Sequence, residues 1–353
     1  MKKVCVIEGD DAAPEAVRPA VEVLETMELP IKFLRPLTGE AAMRAMGSGY
    51  PEAARRAVDE ADTTLFGATS GKTGGAIRHL RFEKQTFANL RPIKYISGAR
   101  SPLARPQGID YVIIRENLED LYLGAEGGLD ELWTTPLGAK VEARGIVKGE
   151  CGRYALKVIT ERGSRRVAEF ACRVALHRKK HGKPGRVTAV AKYNLLRETD
   201  GLFCNVVRET VARHPELRYD EYIVDNFARM IVAEPHGLDV VVIPNLYGDI
   251  LSDAGAGTIG GLGITPSGCF GERYAYFEPV HGTAPDIAGR GIINPTATLL
   301  SAVLMLEYLG MNGAAQRLER AVEAVYADGN TLTPDQGGRA KALEFCDAVK
   351  RKL

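Results

Sequence analysis

The chain has 353 residues, with 46 Lys and Arg against 45 Asp and Glu, so its formal charge is +1 with the six histidines neutral. That balance argues against nucleic-acid binding through bulk charge, and 45% hydrophobic with 26% charged residues excludes a disordered chain. The length is ample for two domains.

From the start, MKKVCVIEGD meets acidic residues too soon to be a signal segment or a membrane span, which predicts a cytoplasmic protein with no membrane partner. Lys3 to Glu8 reads as a strand, and Ala12 to Met27 as a helix with Asp10 or Asp11 as N-cap and Pro14 in its first turn. Arginines then cluster in GGAIRHLR and recur at Arg91 and Arg115. Gly127 to Gly152 lacks a clear period and reads as a long loop or an arm. Gly255 to Gly271 is a candidate boundary, and the polar stretch Glu278 to Gly289 has the length of a binding loop. Beyond Ile293 a helical period returns, with Leu299, Leu300, Val303, Leu304 and Leu306 as a core stripe. Short β-branched runs alternating with Ala-rich helical segments predict an α/β protein with a largely parallel sheet. The six cysteines form no C-x-x-C pair, so neither a zinc site nor a disulfide framework is expected.

Four apolar runs end abruptly in polar clusters: YVII in Arg115-Glu116-Asn117, VTAV in Ala191-Lys192-Tyr193-Asn194, YIV in Asp225-Asn226, and VVVI in Pro244-Asn245-Leu246-Tyr247-Gly248-Asp249. Ligands of open α/β sheets bind beyond the carboxyl ends of strands, so these clusters could line one crevice. Asp249 and Asp253 share a helix face if GDILSDAGAG is helical, where they are either solvated acids or ligands of Mg²⁺ or Mn²⁺. Guanidinium forks suit a substrate with several carboxylates, and Arg91 and Arg115 have the more buried context. No G-x-G-x-x-G follows the first strand, which removes the argument for a Rossmann site.

PNLYGDILSDAGAGTIGGLG, followed by FEPVHGTAPDIAGRGIINPTA, resembles the β-decarboxylating dehydrogenases that act on isocitrate, isopropylmalate, homoisocitrate and tartrate. The resemblance spans essentially the whole chain. It implies a two-domain, isopropylmalate dehydrogenase-like α/β fold, not a Rossmann fold. Residues 1–98 and 257–353 would form the first domain, and residues 99–256 the central one, with the dimer interface and an arm at about 126–160. It implies a homodimer with shared active sites, leaving a tetramer open. Arg81, Arg91 and Arg115 resemble the arginines that hold the malate carboxylates. Tyr122 resembles the acid that protonates the carbon left by CO₂, and Lys192 the base supplied by the neighbouring subunit. Asp225, also from the neighbour, joins Asp249 and Asp253 as the metal ligands. Asn194, Glu278, His281, Gly282, Ala284, Asp286, Ile287 and Asn294 fall at cofactor positions.

Asp286 and Ile287 favour NAD, because a carboxylate accepts from both ribose hydroxyls and repels a 2′-phosphate. Pro334, where NADP-dependent relatives have tyrosine, agrees. GGAIRHLRFEKQTFANLRPIK is similar to homoisocitrate dehydrogenases, and Arg78 would meet an anionic side chain; a buried arginine facing an isopropyl group would be an unpaired charge. Homoisocitrate is therefore expected first, isocitrate second, with isopropylmalate as the alternative. Two departures stand out. The family's GDGIGPEV reads Gly9-Asp10-Asp11-Ala12-Ala13-Pro14-Glu15-Ala16, and Thr69 to Thr73 is a shorter loop carrying Lys72, which could meet a phosphonate or remain solvated. A non-catalytic subunit is disfavoured, since Tyr122, Lys192 and all three aspartates are retained. The basic run Arg178 to Lys183 lacks interleaved aromatics, and reads as a helix C-terminus rather than a nucleic-acid site.

Overall fold

The computed structural model describes all residues 1–353. Twelve strands lie along the chain: β1 (Lys2–Ile7), β2 (Ile31–Leu34), β3 (Thr63–Phe66), β4 (Ala88–Lys94), β5 (Asp110–Glu116), β6 (Glu126–Gly128), β7 (Arg153–Ala155), β8 (Arg186–Ala191), β9 (Arg218–Ile223), β10 (Val240–Ile243), β11 (Pro266–Phe270) and β12 (Ala275–Pro279). Ten of them form one sheet in the order β2-β1-β3-β12-β11-β4-β5-β10-β8-β9. The sheet is mixed rather than uniformly parallel. β2-β1-β3-β12 and β5-β10-β8-β9 are parallel blocks, and three antiparallel pairings through β11 and β4 join them in the middle. Strands β3 and β10 are buried along their whole length, as expected of strands covered on both faces.

Helices cover the sheet because their apolar positions recur at helical spacing. Ala13–Thr26 buries Ala13, Ala16, Val17, Ala20, Val21 and Leu24. Of the C-terminal stripe, Leu299, Val303 and Leu306 enter the largest apolar cluster, while Leu300 and Leu304 pack against its edge. The expected N-cap of the first helix is corrected: Ala12 holds that position, without a side-chain bond. The Asp10 carboxylate turns away instead. Its Oδ2 accepts from Thr69 Oγ1 at 3.0 Å, Ser70 N at 2.9 Å, and Thr73 N and Oγ1 at 3.2 and 3.0 Å. Four donors outweigh one cap bond, and they fix the loop that carries Lys72.

The segment expected as a loop or arm is a small hairpin. β6 and β7 pair antiparallel, and two short helices, Leu129–Leu132 and Pro136–Glu142, lie between them. It carries exposed Leu137, Ile146, Val147, Leu156 and Val158. The basic run ends helix Glu161–Lys180, where Arg178 pairs with Asp110 and Asp239, and Lys183 with Asp110. No helix is long and apolar enough to cross a membrane.

Candidate active site

Strands β5, β10, β8 and β9 are parallel neighbours, so their carboxyl ends share one edge of the sheet. Arg115 is the last residue but one of β5, helix Asn245–Ile259 follows β10, Lys192 follows β8, and Asp225 stands in the first turn after β9. The polar clusters read from sequence thus do line one edge. Their side chains, however, gather in two separate groups.

The inner group is an ion network built on two buried arginines, with Asp249 partly exposed and Asp253 and Tyr122 at the surface. Arg91, on β4, and Arg115 are 5% and 1% exposed. Arg115 Nη1 pairs with Asp249 Oδ1, and its Nε donates to Asn245 Oδ1 at 2.8 Å. Arg91 Nη1 lies 3.2 Å from Asp249 and 3.3 Å from Asp253, and donates to Ser252 Oγ at 2.6 Å. Tyr122 donates its hydroxyl proton to Asp249 Oδ2 at 2.9 Å, with the Arg115 guanidinium 5.3 Å from its ring centroid. Gly248 makes this possible: a Cβ there would lie 2.8 Å from Arg115 Cγ, so only glycine lets the helix approach the arginine. Asp249 and Asp253 do share one helix face. Burial pushes both carboxyls upward. At Asp249 the arginines more than offset it and hold the carboxyl below its ordinary value. At Asp253 the charge of Asp249 adds to burial, and the carboxyl stays above its ordinary value despite Arg91. Burial and Arg91 lower Arg115 to about 10, and burial with the Asp249 bond raises Tyr122.

Arg81 borders this group from the other half of the sheet. Its Nε donates to Tyr276 Oη at 3.3 Å, and its Nη2 is 4.0 Å from Glu278 on β12. Burial raises the Glu278 carboxyl above its usual range. Arg78 ends the short helix Gly74–Arg78 three residues earlier, so it shares the flank of Arg81, but it is exposed and makes no ion pair. Lys72 is paired with Glu40 at a separate polar cavity of about 550 Å³ that also touches Asp10, Asp11 and Arg44.

The outer group is small and open. Lys192 Nζ lies 2.5 Å from Asp225 Oδ1, and that aspartate side chain is 64% exposed. Lys192 lowers the Asp225 carboxyl below its ordinary value. Asn194 is exposed on the same turn. Within one chain, therefore, Asp225 does not join Asp249 and Asp253.

A third feature is a cleft of about 420 Å³ lined by Leu262, Gly263, His281, Gly282, Ala284, Ile287, Ile292, Ile293, Asn294, Pro334 and Asp335. It gathers five of the eight residues placed at cofactor positions. Asp286 stands exposed on the turn Pro285–Ile287 beside it, while Glu278 lies with Arg81 and Asn194 with Lys192. His281 Nδ1 is 2.8 Å from Gly282 O, and its Nε2 is buried without a partner. Burial lowers its pKa. Asn294 donates to Asp335 at 2.9 Å. The first loop is stitched to this wall: Ala12 N donates to Thr283 O, and Glu15 accepts from Gly289 N and Gly291 N. Sequence reasoning missed Asp335, Ser252 and the role of Asn245. The polar residues clustered after β10 were a usable signal for Asn245, whereas nothing local marks Asp335.

An acid-arginine network at a strand edge, with a separate cleft beside His281 and without a Rossmann loop, is the arrangement of an enzyme for anionic substrates. The family model for isocitrate/isopropylmalate dehydrogenase matches residues 3–349, and the chain belongs to that family of oxidatively decarboxylating dehydrogenases. It is 42% identical over 353 residues to the 3-isopropylmalate/3-methylmalate dehydrogenase of Methanocaldococcus jannaschii, covering 100% of this chain and 99% of the relative. It is 40% identical over 358 residues to the isocitrate/homoisocitrate dehydrogenase of Thermus thermophilus, covering 99% and 98%. The crystal structure of isocitrate dehydrogenase from Methylococcus capsulatus superposes with a TM-score of 0.85 at 32% identity, over 100% of this chain and 99% of that one.

Proposed function

We propose that the enzyme oxidises and decarboxylates a 3-substituted malate with an anionic side chain, homoisocitrate before isocitrate, using NAD and Mg²⁺ or Mn²⁺. The observation that carries the substrate is Arg78, a cation without an ion-pair partner on the flank of Arg81. An anionic side chain would supply its missing counter-charge. Arg91 engages its neighbours through Nη1 and keeps a buried Nε without a partner, which leaves donors for a malate carboxylate.

The residues fit both ligands of the reaction. Asp249 and Asp253 form an all-oxygen pair whose mutual repulsion a divalent cation would relieve, and Asp225 of a second copy would complete the set. The cleft beside His281 offers an unpartnered ring nitrogen, with Asp286 at its rim to accept from ribose hydroxyls, which favours NAD. When bound, NAD accepts the hydride and the cation supplies Lewis acidity. Arg81, Arg91 and Arg115 hold the malate carboxylates. Lys192 of a second copy takes the hydroxyl proton. Tyr122, kept protonated by burial and by Asp249, gives a proton to the carbon that loses CO₂. Exposed Val232 and Ile250, with the apolar arm, support a homodimer that brings the outer group of one chain to the inner group of another. The two-domain division at residues 98/99 and 256/257 fits the return of the chain, through β11 and β12, to the first half of the sheet. Six free cysteines, five of them buried, suit a reducing cytoplasm.

A second reading is 3-isopropylmalate dehydrogenase, favoured by the name of the 42% identical relative. A phosphonomethylmalate would require Lys72 to leave Glu40. NADH formation with homoisocitrate, isocitrate, isopropylmalate and phosphonomethylmalate in parallel decides among them. Preference for isopropylmalate would overturn the role given to Arg78.

A further inference from the structure

Three residues that no motif connects meet beneath both catalytic turns. Lys157 lies on the return leg of the arm, two residues beyond β7, with its side chain 12% exposed. Its Nζ lies 2.6 Å from Asp200 Oδ1 and 3.5 Å from Asp120 Oδ1, and 4.3 Å from the centroid of the Tyr247 ring. Both carboxylates are fully buried. Each uses its other oxygen on backbone: Asp120 Oδ2 accepts from Leu246 N at 2.9 Å, and Asp200 Oδ2 from Lys192 N at 2.7 Å.

Asp120 opens the turn Asp120–Leu123 that presents Tyr122. It does so at φ +73°, a left-handed conformation costly for a residue with a side chain, and its N–H is held by Val158 O at 2.8 Å. Through Leu246 it also caps helix Asn245–Ile259, whose own N-cap is Pro244 and has no side-chain bond to offer. Asp200, in turn, fixes the backbone of Lys192. One ammonium therefore compensates two buried carboxylates, one under the donor's turn and one under the base's; without it, two like charges would be left in dry surroundings. Burial pulls the ammonium's pKa down, but Asp200 and Asp120 more than offset this and keep it charged.

We propose that Lys157 is a positioning residue that sets the turn of Tyr122 and the turn of Lys192 together, through Asp120 and Asp200. The inference rests on the roles given above to Tyr122 and Lys192. Because Lys192 of one chain serves the site completed by a second copy, Lys157 ties the two active sites of a dimer to each other.

Two half-reactions of the full-length enzyme separate the two ends. Exchange of a product C3 proton with solvent deuterium, followed by NMR with Mg²⁺ present, reports the donor. Reduction by NADH of the 2-oxo acid formed from the substrate turned over fastest reports the base. Asp120→Asn keeps an acceptor for Leu246 at a backbone angle asparagine tolerates, and Asp200→Asn keeps one for Lys192. Asp120→Asn is expected to slow exchange about tenfold or more, with reduction within about twofold; Asp200→Asn is expected to do the reverse. Lys157→Met slows both, Lys157→Arg recovers part of each, and KM for NAD stays put. If folded variants show both rates unchanged, or both rates falling only in step with the folded fraction, the proposal is overturned. Should Lys157→Met fail to fold, the two asparagine variants decide alone. Tyr122→Phe and Lys192→Ala serve as controls: if either leaves its own half-reaction intact, the functional reading falls instead.

Discussion

The two groups along the strand edge are built on opposite terms. The inner one, around Asp249, is anchored on two buried guanidiniums and paired internally: two carboxylates and a phenol that reach the surface bond to them and to each other within a single chain. The outer one, Lys192 with Asp225, stands open and has only itself. The inner half, held by several mutual bonds, can be ordered before substrate arrives, whereas the outer half is a single ion pair with one largely exposed carboxylate. Under the proposed reading, pre-organisation within one chain and sharing between two copies would divide one catalytic apparatus between them.

The largest expected effect tests whether the open half acts on another chain. Lys192→Ala and Tyr122→Phe homodimers should each lose about 10²–10⁴ in kcat. Unfolded together and refolded as a mixture, they should regain roughly a quarter of wild-type NADH formation, because half the dimers are mixed and each of those keeps one intact site. No recovery would mean that Tyr122 and Lys192 of the same chain work together. Next, Arg78→Val should move the ratio of kcat/KM from homoisocitrate toward isopropylmalate by roughly a hundredfold, measured with both substrates; an unmoved ratio removes Arg78 from the pocket.

A smaller effect separates the groups by stability. Asp249→Ala leaves two buried arginines short of a counter-charge and should cost about 2 kcal/mol in urea unfolding, after discounting its partial exposure. Asp225→Ala should leave the midpoint unchanged; equal losses would erase the contrast. The pH dependence carries the same sign. Since Asp249 is held below its unfolded value, its stabilisation is present above the ordinary carboxylate range and is lost as pH falls through its own lower value. Acid titration of metal-free wild type against Asp249→Asn should show that loss only in wild type. Smallest of all, Asp11→Gly relieves a non-glycine residue at φ +53° and should raise stability by about 1 kcal/mol or less, touching neither group.

Much of this edge was legible in the chain. A buried strand must end where polar residues begin, so YVII, VTAV and VVVI each announced a polar turn at the sheet's edge, and the four-residue spacing of Asp249 and Asp253 fixed their common face. What could not be read were contacts between distant segments. Asp120, Lys157 and Asp200 meet without a shared motif, because their proximity depends on how the arm returns beneath two turns. Asp10 sits where a helix cap would, yet the donors of Thr69, Ser70 and Thr73 are brought to it only by the fold. The antiparallel middle of the sheet was equally hidden, since β4 and β11 carry no mark of direction in their residues.

That middle has a mechanical meaning. Arg81 and Glu278 stand on one side of it, Arg115 and Asp249 on the other, yet an unbroken ladder of backbone hydrogen bonds runs from β2 to β9. Any narrowing of the space between those walls cannot be a swing about a slack tether. It has to be absorbed as a small added twist from strand to strand, so the jaws of this enzyme share a leaf spring rather than a hinge pin.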